Sequence, residues 1–144
     1  MTSKREAVLD AVRALIAGAL PNAEVKRNLA KPERIPPGGL VVIRDGDPGE
    51  PEVTLSPVSY LYTHRIAVEI AAFESATLTR EQVLDGMLGA IGAAIAADRR
   101  LGGLADWIEA EAPVSDDAET QGALPARTAE FAIVAVYATA DPLT

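Results

Sequence analysis

Apolar residues recur at helical spacing near the start of the chain, where Val8, Leu9, Val12, Leu15, Ile16 and Ala19 fall on one face. Ser3 followed by Glu6 has the spacing of a capping box, in which each side chain can satisfy the other's free backbone amide, and Gly18 with Pro21 marks the end. Ala23 to Asn28 then reads as a short strand with Val25 inward, followed by a non-helical connection through Pro32, Pro36, Pro37, Gly38 and Gly39. Leu40 to Arg44 is a strand. The run Asp45-Gly46-Asp47-Pro48-Gly49-Glu50-Pro51 is turn chemistry, which predicts a hairpin with a long tip leading into a second strand around Glu52 to Ser56. From Tyr60 to Phe73 the chain alternates, with Tyr62, His64, Ile66, Val68 and Ile70 facing the core and Thr63, Arg65, Ala67, Glu69 and Ala71 facing away.

Thr79 with Gln82 repeats the capping-box spacing and opens a second helix, whose buried stripe is Val83, Leu84, Met87, Leu88, Ile91 and Ile95 and which ends near Asp98. After a Gly-containing turn, Trp107 to Val114 reads as a strand, Ser115 to Pro125 as a polar loop, and Arg127 to Thr139 as the last strand. Phe131 to Ala140 carries no charge, which predicts a central strand covered on both sides. The order of elements favours a single α+β domain over residues 1–144, with a largely antiparallel or mixed sheet and two principal helices packed on it.

Composition removes several classes of function. With no cysteine, disulfides, thiolate catalysis and cysteine-based metal sites are excluded, so stability must come from packing. The polar stretch Met1 to Glu6 lacks the apolar core and cleavage site of a signal peptide. The longest uncharged stretch, Gly86 to Ala97, falls short of the ~18 apolar residues a membrane span needs. A net charge of −8 argues against a surface that grips phosphates, so any contact with DNA is expected to be loose.

The search for catalytic chemistry finds little. His64 is the single histidine and has neither a second His nor a Cys to complete a metal site, so a structural or interface role is expected of it. Ser56, Ser59 and Ser75 lack the glycine-flanked setting of a hydrolase nucleophile. Asp45, Asp47 and Glu50 match a calcium loop only out of register, and a solvated tip is the simpler reading. Glu109 and Glu111 lie on one face of a strand, where a wet surface explains them. Gly86, Gly89 and Gly92 sit inside a helix and cradle no phosphate. They are read as packing glycines, and with the surrounding alanines they leave the second helix apolar all round, so that either the first helix or a neighbouring subunit must cover it. Lys26, Arg27, Lys31 and Arg34 cluster early, whereas residues 101–126 hold Asp106, Glu109, Glu111, Asp116, Asp117 and Glu119 with no Lys or Arg. Such segregation serves either head-to-tail association or two solvated surfaces.

A capped helix, a Pro/Gly-rich connection, a long hairpin, a Tyr/His-bearing strand ending in Ala71-Ala72-Phe73-Glu74, an Ala/Gly-rich helix and two closing strands joined by an acidic loop form one layout. It resembles the tail terminator proteins of long-tailed bacteriophages, most closely the version in bacterial gene transfer agents. The resemblance implies a structural protein with no catalytic residue and no cofactor. It implies a ring, commonly of six subunits, assembled in the bacterial cytoplasm, that caps the tail tube and joins it to the head connector while DNA passes through. Its partners would be the major tail tube protein and the head connector (stopper) protein, with no membrane. Candidate contacts with subunits or partners are Lys26, Arg27, Arg34, Asp45, Asp47, Glu50, Gly86, Gly89, Asp116, Asp117 and Glu119. Another neck or tail-completion protein, a small ligand-binding α+β oligomer, and an enzyme using unplaced carboxylates are the competing readings.

Overall fold

The structure, a computed structural model, describes residues 2–30, 34–118 and 126–144. Helix α1 (Lys4–Ala19) is followed by strands β1 (Glu24–Arg27), β2 (Leu40–Arg44), β3 (Glu52–Thr54) and β4 (Ser59–Ala72). Helix α2 (Arg80–Ala97), a 3-10 turn at Leu101–Gly103, and strands β5 (Trp107–Ala110), β6 (Val114–Ala118) and β7 (Ala126–Thr139) complete the order. The strands form one mixed sheet in the order β1-β2-β4-β7-β5, with β3 on β4 and β6 on β7. Among the described strands only β1 and β2 run parallel, and the β4–β7 ladder, from Tyr60–Thr139 to Ala72–Arg127, is the spine of the sheet.

Directly opposed residues of neighbouring strands share a face. Val41, Ile43, Ile66, Val68, Ile70, Ile108, Ile133 and Ala135 join the core that Val8, Leu9, Val12 and Ile16 of α1 and Leu84, Met87, Ile91 and Ile95 of α2 complete, so both helices lie on one face. The alternation expected in β4 is observed, with Tyr62, His64, Ile66, Val68 and Ile70 all buried. β7 is central, as its composition predicts, but its two faces differ. Among the described residues no helix covers the second face, where Ala132 is buried and Val134, Val136 and Ala138 are half-buried.

The helix starts follow the capping signals. Thr79 and Gln82 form the full reciprocal box. At α1 the Ser3 hydroxyl accepts the Glu6 N–H at 3.2 Å, whereas the Glu6 carboxylate turns away to Arg27, so that box is half made.

Both edges of the spine depart from the sequence reading. β2 and β3 do not pair with each other. They follow one another along the same edge of β4, and seven residues (45–51) lie opposite five (62–66) between the pairs Arg44–Ala67 and Glu52–Leu61. The expected hairpin tip is therefore a bulge in one interrupted strand, and the true hairpin joins β3 to β4. On the other edge, 111–113 bulge opposite Phe131 and Ala132 between Ala110–Ile133 and Val114–Glu130, so β5 and β6 make a second interrupted strand. The expected polar loop from Ser115 thus begins as strand: Asp116 pairs with Thr128 and Asp117 with Arg127. Its remainder, with Glu119, and likewise Lys31 and Pro32, lie outside the described residues.

Gly46 shows why the first bulge needs its sequence. Its φ is +65°, and a Cβ there would stand 2.5 Å from the Arg65 carbonyl oxygen. Gly49, at φ +75°, has open space around it. Gly49→Ala is expected to lose only the backbone cost of a left-handed residue, about 1 kcal/mol, and Gly46→Ala clearly more, about 2–3 kcal/mol, in urea denaturation. Equal losses would mean that the close approach to β4 carries no weight.

Candidate assembly surfaces

α2 buries one face and leaves the other bare. Leu84, Met87, Ile91 and Ile95 point to the sheet, whereas Gly86, Gly89, Gly92, Ala93, Ala96 and Ala97 are exposed. A Cβ built at Gly86, Gly89 or Gly92 meets nothing within 4 Å. Of the two covers expected for these packing glycines, the first helix is not the one, because among the described residues α1 lies beside α2 and leaves that face uncovered. Each glycine costs the helix roughly 1 kcal/mol relative to alanine, which the core stripe and capping box offset. The bare face carries no charge between Asp85 and Asp98.

Each charge cluster is matched in part within the chain. Arg27 donates to Glu6 at 2.6 Å and to Asp45 at 2.8 Å, and Lys26 lies 3.8 Å from Glu24. Asp117 accepts from Arg127 at 2.7 Å and sits 3.0 Å from Arg80, at the start of α2. Glu111 accepts from Arg65 across the second face, and the ion pair holds its carboxyl below the usual range. Asp47 caps the Gly49 N–H at 2.8 Å inside the bulge, while Arg34 and Glu50 are exposed. Head-to-tail attraction between whole clusters therefore loses the charge of Lys26, Arg27, Glu111 and Asp117 to local pairs.

One buried polar centre was not visible in the sequence. The His64 side chain, 0% exposed, places Nδ1 2.9 Å from the Tyr137 hydroxyl and Nε2 2.6 Å from the Asp45 carbonyl oxygen. A carbonyl only accepts, so Nε2 carries the proton, Nδ1 is left as an acceptor, and Tyr137 donates to it. Burial lowers the His64 pKa and pushes that of Tyr137 up to about 12. Burial also works to raise the Asp45 carboxyl, but hydrogen bonds from Arg27 and Asn28 outweigh it and leave it below its ordinary range. The Asp45 N–H in turn donates to Asn28 Oδ1 at 3.0 Å. Alternation put His64 on the core face, but only the β4–β7 register brings Tyr137 to it.

The second face of the sheet has two open hollows, about 150 and 390 Å³, meeting at the cross-strand pair Glu69–Glu130. Leu40 and Ala71 line the smaller, and Ala67, Val114 and the Arg65–Glu111 pair the larger. At the β3–β4 hairpin Val53, Leu55 and Val58 are exposed, and on the edge strand β5 Trp107 stands 4.9 Å beneath the Arg99 guanidinium. Among the described residues no group of acidic or histidine side chains is placed to hold a metal, and no helix is long and apolar enough to cross a membrane. No protein-family model and no curated protein matches the chain.

Proposed function

We propose that this chain is a structural ring subunit, the tail terminator of a phage-like particle, which caps the tail tube and joins it to the head connector while DNA passes through. It performs no catalysis. The observation that carries this reading is the bare face of α2: an uncharged strip of glycine and alanine, from Gly86 to Ala97, that the described residues leave uncovered. Small residues let a second backbone approach closely, and a heterologous contact repeated around an axis closes a ring. The resemblance of the sequence to tail terminators in its order of elements supports the same reading. So does the net charge of −8, because an acidic lumen lets DNA slide where a basic one would hold it.

Electron microscopy of the purified protein, alone at high concentration and mixed with tail tubes, tests it. Rings in solution or on tube ends are the expected result. A protein that stays monomeric and also ignores tube ends overturns the proposal. Asp116→Ser with Asp117→Ser should lower the melting temperature only slightly, because both side chains are exposed on an edge strand and the surface pairs of Asp117 with Arg80 and Arg127 contribute about 1 kcal/mol or less each. The yield of joined particles should fall.

A further inference from the structure

The centre formed by Tyr137, His64 and Asp45 lies apart from the bare helix face, and the proposed ring makes no use of it. Each element around the imidazole contributes a titratable or charged group. The bulge brings the Asp45 carbonyl oxygen to 2.6 Å and the carboxylates of Asp45 and Asp47 nearby. β7 brings the Tyr137 hydroxyl, β4 adds Tyr62 beside the Tyr137 ring, and α1 adds the positive charge of Arg5. Arg27 of β1, clamped between Glu6 and Asp45, forms the outer layer.

Every polar group of this centre is satisfied only while the imidazole is neutral. A proton on Nδ1 would face a hydroxyl that now donates to it. The hydroxyl would have to turn and accept, leaving its own proton without the ring as partner, and a cation would sit in a fully buried position near Arg5. The least costly relief is to let water reach the ring. β7 cannot move aside without breaking the spine of the sheet. The bulge can, because it pairs with no strand and has Gly46 and Gly49 at positive φ as pivots.

We propose that residues 45–51 form a proton-operated latch: neutral His64 holds the bulge against β4 through the Asp45 carbonyl, and protonation of His64 in mildly acidic solution releases it while β4 and β7 stay paired. His64 is harder to protonate in the closed form than in an open one, where its pKa returns to about 6.5. The open form therefore binds more protons, so closure is complete above about pH 6.5 and is lost as the pH falls below it, by up to about tenfold per unit. The lowered carboxyls of Asp45 and Glu6 act the same way only below about pH 4, outside this window.

Since the chain has a single histidine, its imidazole nitrogen signals report this titration without ambiguity. NMR of the full chain between pH 7.5 and 5 should show them titrating together with the opening of the bulge. Opening is read from exchange of the Asp45 and Gly49 amides, corrected for intrinsic rates, while the β4–β7 amides remain protected. In His64→Gln, whose amide can donate to Asp45 and accept from Tyr137 without titrating, bulge opening should not depend on pH. Three results would each overturn the latch: a His64 titration without a bulge response, equal loss of protection in the β4–β7 ladder, or an unchanged pH response in His64→Gln. The first two are read on the native sequence and hold even if the variant does not fold.

Discussion

Gly89→Leu is expected to leave the isolated chain folded, slightly more stable, and unable to form rings. Within the described chain the new side chain starts in open space, because a Cβ at Gly89 meets nothing within 4 Å beyond its own stretch of helix. Replacing an exposed helical glycine by leucine should stabilise α2 by about 0.5–1 kcal/mol on propensity alone. In a ring, that leucine would occupy the space a neighbour's backbone needs. Overfilling a packed contact costs about 1–3 kcal/mol, a factor of roughly 5 to 150 at every interface of the ring. A closed ring needs all its interfaces together, so assembly should collapse. Urea denaturation and sedimentation of the same preparation separate the two effects. A less stable chain would mean that the face is covered from within, and rings of undiminished yield would place the interface elsewhere.

Both helices were legible in the sequence because their signals are local: a cap, an apolar stripe and a stop. The alternation of β4 was legible for the same reason. The candidate surface was half legible. That α2 is apolar all round is a property of Gly86 to Ala97 alone, whereas the absence of a cover inside the chain depends on where α1 lies, which no local pattern encodes. Asp45 to Pro51 shows the limit most clearly, since Asp-Gly and Pro-Gly turn chemistry serves a hairpin tip and a bulge equally well. The choice between them was made by β4, which offers one edge long enough for β2 and β3 in succession. Ser115 to Ala118 was hidden by its acidic residues, which suit an exposed loop as well as an edge strand whose Asp117 reaches Arg80 and Arg127. The bond between His64 and Tyr137 joins residues 73 apart and follows only from the β4–β7 register.

The unequal faces of that register predict the largest loss of stability. Ile133→Ala should destabilise the chain by about 2–5 kcal/mol and lower its melting temperature by roughly 10 °C. Ile133 lies directly opposite Ile66, both are 0% exposed, and both belong to the core beneath the helices. The spine fixes the backbone on either side, so neighbouring side chains have little freedom to fill the cavity. Val134→Ala, one residue on and turned to the second face, removes two methyl groups from a half-buried position. It should cost about 1 kcal/mol or less. Urea denaturation of the two variants, with the denaturant slope held constant as the sign of an unchanged fold, measures the contrast. A Val134→Ala loss as large as that of Ile133→Ala would mean that the second face is packed as tightly as the first, and would leave α2 and the β3–β4 hairpin as the candidate apolar surfaces for partners.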